Sequence, residues 1–141
     1  MRNTNFVVWS LLLSMVLLTS CASSGKTGAD AKANSDEVKL MVLYPKPTDV
    51  EQFDKDYREH LQLLHEKANI SDDAPLPYTV TKFFPNPERP PAYYQVFIMK
   101  FASAEALQQA MSTSGMQEVA ADAARISSGG PPVVMVGSEI P

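Results

Sequence analysis

The seven residues from Val38 to Tyr44, VKLMVLY, alternate with period two, and both of their faces are largely apolar: Val38, Leu40, Val42 and Tyr44 on one, Met41 and Leu43 beside Lys39 on the other. A strand of that kind has to be covered on both sides. Pro45 and Pro47 end it, and Thr48 with Glu51 three residues on reads as a capping box for a helix. In that helix Val50, Phe53, Tyr57, Leu61, Leu64 and Ala68 form one apolar stripe against a charged back of Glu51, Asp54, Lys55, Arg58 and Glu66. This strand and helix are the frame on which the later segments must pack.

Those segments follow a recognisable order. Tyr78 to Phe84 is rich in Thr, Val and aromatics and reads as a strand, and the proline-rich run from Pro85 to Pro91 breaks it. Tyr93 to Phe101 alternates again, and so short a connection makes the two strands an antiparallel hairpin. Ser103 caps a helix reaching about Met111. Ser114 with Gln117 offers a capping box for a second piece, Met116 to Ile126, lined by Met116, Val119, Ala120 and Ala123. The run from Ser127 to Pro132 is a turn, and Val133 to Val136 reads as a final buried strand. The order β-α-β-β-α-β predicts an α+β, ferredoxin-like fold: a four-stranded antiparallel sheet with helices on one face. Helices cover one face only, so the apolar second face predicts a homodimer.

The N-terminus is of another kind. Arg2 precedes the apolar run FVVWSLLLSMVLL, which Ser10 and Ser14 interrupt and which falls short of the roughly 20 apolar residues of a spanning helix. Residues 1–20 read as a signal peptide. Leu18-Thr19-Ser20-Cys21 resembles the lipobox of bacterial lipoproteins, which implies lipid attachment at Cys21. Ala22 after the cysteine resembles the signal for the outer membrane, so the expected place is the cell envelope, facing the periplasm. Residues 21–37 then form the lipidated cysteine and a small, polar, flexible tether, and 38–138 the folded domain. The chain carries 12 basic and 16 acidic side chains, and loss of Arg2 with the leader leaves it more acidic still. Nucleic acid is not an expected partner, since phosphates require clustered Lys and Arg.

The residue chemistry is sparse. His60 is a candidate general base, because an imidazole with a pKa near ~6.5 takes up a proton at working pH; the alternative is a structural histidine bonded to a carbonyl or to water. His65 stands five residues further on, which is not the four-residue spacing of a helical metal pair, and neither a metal nor a cofactor is expected. Tyr57 and Tyr94 are candidates to orient a substrate, and Phe97 and Met99 to form an adaptable apolar wall. Core or interface packing is the alternative for all four.

Three stretches, VKLMVLYPKP, FDKDYREH and the half that runs from PPAYYQVFIMKF to SSGGPPVVMVG, resemble the EthD family of dimeric α+β barrel proteins. The resemblance spans residues 38 to about 138. It implies a dimeric barrel, and an oxidoreductase or reductase label that for most members is attached to no demonstrated reaction. One feature departs: the family commonly places three residues between its Tyr and His, whereas two separate Tyr57 from His60, a shift of about 100° around the helix. The resulting expectation is a lipid-anchored protein that binds a small, mostly apolar molecule and assists its oxidation, reduction or isomerisation. The alternative is a non-catalytic binding or assembly lipoprotein.

Overall fold

In a computed structural model, residues 36–140 of the chain are described. The leader, Cys21 and nearly all of the tether lie outside them. Strand β1, Val38–Tyr44, is followed by helix α1, Val50–Ala68, whose N-cap is Asp49 and not Thr48. Asp49 Oδ1 accepts the Gln52 N–H at 3.0 Å, while the Thr48 N–H donates to Ser128 Oγ at 3.2 Å. Both residues are good caps by type. The tie from Thr48 to a loop 80 residues away leaves Asp49 at the helix mouth. At the other end Asn69 takes the left-handed conformation (φ 52°, ψ 42°) and its N–H bonds the His65 carbonyl, closing the last turn.

Strand β2 covers Tyr78–Lys82 and strand β3 Gln95–Phe101, each shorter at the hairpin end than the residue pattern suggests. The ladder nonetheless continues one step, Phe83 N–H to the Tyr94 carbonyl at 2.8 Å, before the prolines remove further donors. Helix α2, Ala104–Met111, is capped by Ser103 as expected. Helix α3, Ser114–Ile126, takes its cap from Thr113, whose Oγ1 accepts the Met116 N–H at 3.3 Å; Ser114 is already helical. Strand β4, Val133–Gly137, closes the fold.

The sheet order is β2-β3-β1-β4 with every neighbouring pair antiparallel, so α1 carries the chain from β1 over β3 to β2. This is the α+β ferredoxin-like arrangement expected from the element order. The register puts Leu40 opposite Met99 and Val42 opposite Phe97 on the face beneath the helices. There Tyr44, Phe53, Leu64, Phe97, Val119 and Ile126 belong to one core. Tyr44, Phe53 and Tyr57 meet ring to ring at 5.4–5.6 Å.

One expectation fails at the edge. Val133 to Val136 are exposed, with Val134 at 59% and Val136 at 55%, because β4 is an edge strand paired with β1 alone. An apolar run shows how willingly a segment is buried, not whether anything in the same chain lies over it. Alternation also sends Met41, Leu43, Ile98 and Met135 to the face turned away from the helices.

Candidate functional site

Between the sheet and helices α1 and α3 lies a cavity of about 90 Å³. Strands β1 and β3 supply its floor through residues such as Leu40 and Phe97, and α3 supplies Val119 and Ala123. All of its walls are apolar except at Tyr44 and His60. Its rim includes Ala120 and Val134, both exposed, so the cavity opens between α3 and the uncovered edge strand.

His60 is 5% exposed, and its Nδ1 lies 2.9 Å from Asp122 Oδ2 on α3. The other oxygen, Oδ1, accepts from Arg125 Nε and Nη2, each at 2.7 Å. Burial lowers the His60 pKa below its ordinary 6.5, and the bond and charge of Asp122 only partly offset it. Burial alone would raise the Asp122 pKa, but the bonds from Arg125 and His60 outweigh this and hold it below the ordinary carboxylate value. The pair is therefore a neutral imidazole against a carboxylate. The carboxylate selects the tautomer with the proton on Nδ1, which leaves Nε2 as an acceptor that no described residue engages. The Tyr44 hydroxyl likewise bonds no described residue, and burial, reinforced by the negative charge of Asp122, pushes its pKa well above the phenol range. It keeps its proton and can donate.

Of the candidates read from sequence, His60, Phe97 and Met99 line the cavity, and Tyr57 and Tyr94 do not. Tyr57 packs behind His60, their rings 5.7 Å apart. Its hydroxyl and Gln95 Nε2 are both buried without a well-formed hydrogen bond, although the Gln95 side chain is close enough to Tyr57 to act on its pKa. Tyr94 stands just before the interior strand β3, where its hydroxyl donates to Asp54 Oδ1 at 3.2 Å and Lys82 Nζ sits 5.4 Å over its ring. His65 is committed elsewhere, with Nδ1 to Asp72 at 2.9 Å and Nε2 to the Tyr78 hydroxyl at 2.7 Å. Among the described residues no cluster of His, Cys, Asp and Glu could hold a metal ion.

Asp122 and Arg125 carry no signal that singles them out in the sequence. Their i, i+3 spacing is common on helix surfaces, and the partner that gives them meaning is 62 residues away.

No protein-family model matches the chain, and no curated protein matches it. Solved structures do. An ethyl tert-butyl ether D (EthD) family protein from Bacillus halodurans is 30% identical, with a TM-score of 0.62, over 74% of this chain and 99% of that one. The chain belongs to the EthD family. An EthD-like protein from Ralstonia eutropha is 23% identical over 74% of this chain and 92% of that one, with a TM-score of 0.54. A dimeric ferredoxin-like protein of unknown function from Jannaschia sp. CCS1 shares the fold at 11% identity, with a TM-score of 0.56 over 73% of this chain and 99% of that one. In this EthD-family chain His60 stands on the cavity wall, while Tyr57, three residues earlier, turns toward Gln95 and the core.

Proposed function

We infer that this EthD-family protein binds a small, mostly apolar molecule between α1, α3 and the sheet and moves a proton on it. The observation that carries this reading is the His60–Asp122 pair: a neutral imidazole, oriented from behind, opening its free nitrogen on a cavity otherwise apolar but for Tyr44. A base held in this way takes a proton from a ligand oxygen, or from a carbon next to a carbonyl. The Tyr44 hydroxyl then donates a hydrogen bond to the oxygen that gains charge. Returned by the His60 imidazolium to another atom of the ligand, the proton completes an isomerisation; before that return, the electron-rich ligand anion is open to oxidation by a separate oxidant.

The same reading places the protein in the bacterial envelope, anchored through a lipid on Cys21, and makes it a homodimer. The apolar residues Met41, Leu43, Ile98 and Met135 on the face away from the helices support the dimer, as does the dimeric Jannaschia protein of the same fold. The exposed valines of β4 favour a second reading, in which assembly is the function and the cavity is incidental.

Native mass spectrometry of the full chain, extracted from its own cells, separates these. The expected species is two chains beginning at an acylated Cys21 with a reproducible small component, and that component is lost in His60→Gln. A bare dimer would move the weight to assembly. A chain that keeps its leader would refute the anchor, and a bare monomer would refute the dimer.

A further inference from the structure

The inner cavity is small: an apolar cavity of about 150 Å³ takes a benzene ring, and this space is about 90 Å³. A second pocket of about 310 Å³ lies beside it, and the two share Met99 and Met116 as a common wall. They are also in line. On α1 the inner space meets His60 and Leu64, and the outer one Lys67 and Ala68 one turn further on. On β3 the series runs from Phe97 through the shared Met99 to Phe101, and along α3 from Val119 through the shared Met116 to the N-cap Thr113. His60 to Ala68 spans about 12 Å at the rise of a helix.

The wall between them is made of the side chain most able to move. Methionine is unbranched, with three rotatable bonds, and re-packs at little cost. With both side chains turned aside, the joined space exceeds the ~300 Å³ at which pockets for larger organic ligands begin.

We propose that Met99 and Met116 form a displaceable partition, and that the ligand is an unbranched apolar chain with a hydroxyl at the His60 end and its tail in the outer pocket. The inference rests on the cavity being a binding site, as read above. The head group follows from the two polar walls: His60 Nε2 accepts from an O–H, and the Tyr44 hydroxyl donates to the same oxygen. The tail follows from the linear course past the two methionines toward Ala68, Phe101 and Ala110, with Lys67, Asn69 and Thr113 forming the polar part of the outer wall.

Straight-chain primary alcohols from butanol to decanol test this, titrated into the purified full chain with the Met116 methyl resonance followed by NMR in methionine-labelled protein. Affinity is expected to rise about fourfold per added methylene through the longer members. Ala110→Phe, which fills the outer pocket from its own wall, is expected to flatten that rise. Partition into detergent is common to both chains and cancels in their ratio. A rise that stops at the shortest alcohols in the unaltered protein overturns the partition and leaves the inner site standing. A rise that Ala110→Phe does not change also overturns it, since the tail then lies elsewhere. No binding by any alcohol overturns the inference together with the site.

Discussion

His60 illustrates how a single residue is set by its surroundings. Asp122 and Arg125 face it from α3, and the Tyr57 ring lies one helical turn behind on its own helix. Its pKa is lowered in the fold, so the unfolded chain takes up the proton first as the pH falls. Its contribution to stability is whole above about 6.5 and is lost as pH drops from there toward the folded value. Denaturant midpoints taken across that range should fall with acid, and His60→Gln should flatten the profile; an unchanged slope would contradict a buried neutral imidazole. Asp122 titrates in a separate window below 3.8. Asp122→Ala leaves a buried Nδ1–H without an acceptor and should cost about 1–3 kcal/mol, whereas Arg125→Ala, at a half-exposed position, should cost about 0–1 kcal/mol. Equal losses in the two variants would show that the three groups act as one buried network. Tyr57→Phe removes a hydroxyl without a well-formed hydrogen bond, and is expected to be neutral or stabilising in the same assay. A marked loss would mean that the adjacent Gln95 side chain, or a bound water or ligand, satisfies it.

At the scale of elements, the ends of the helices depend on contacts beyond the local pattern. Thr48, Asp49, Thr113 and Ser114 are all acceptable caps by residue type. Asp49 and Thr113 serve because the backbone enters each helix at those positions with extended dihedrals. The entry to α1 is also held from outside, since the loop after α3 passes so close that a Cβ on Gly129 would meet the Lys46 carbonyl at 2.0 Å. Asp49→Ala should therefore lower stability by about 1 kcal/mol in urea unfolding, and Thr48→Ala clearly less. The reverse order would restore Thr48 as the cap.

For the whole molecule the open face of the sheet is decisive. Ile98 stands on that face, opposite Met41 across the β1–β3 ladder. If a second copy covers it, Ile98→Asp buries an unpaired charge in the interface, and sedimentation should show a monomer where the unaltered chain is a dimer. A dimer that survives the change would place the interface elsewhere, with the exposed strand β4 the next surface to alter. The monomer formed by Ile98→Asp should retain the cavity, because none of its lining comes from the open face.

The residue pattern by itself determined the element order and the ferredoxin-like class, because period-two and period-3.6 burial are local properties of the chain and four strands with two helical runs have few ways to be covered; the family was legible only as a resemblance of whole stretches such as VKLMVLYPKP and FDKDYREH. It also marked His60, Phe97 and Met99, which stand on the buried faces of their elements. Only the tertiary structure decided what those residues meet. Asp122 meets His60 across 62 residues, Tyr57 turns away from the cavity and Tyr44 toward it, and β4 is left bare at the sheet edge. Each is settled by which face of one element meets another, and that depends on packing between segments distant in the chain.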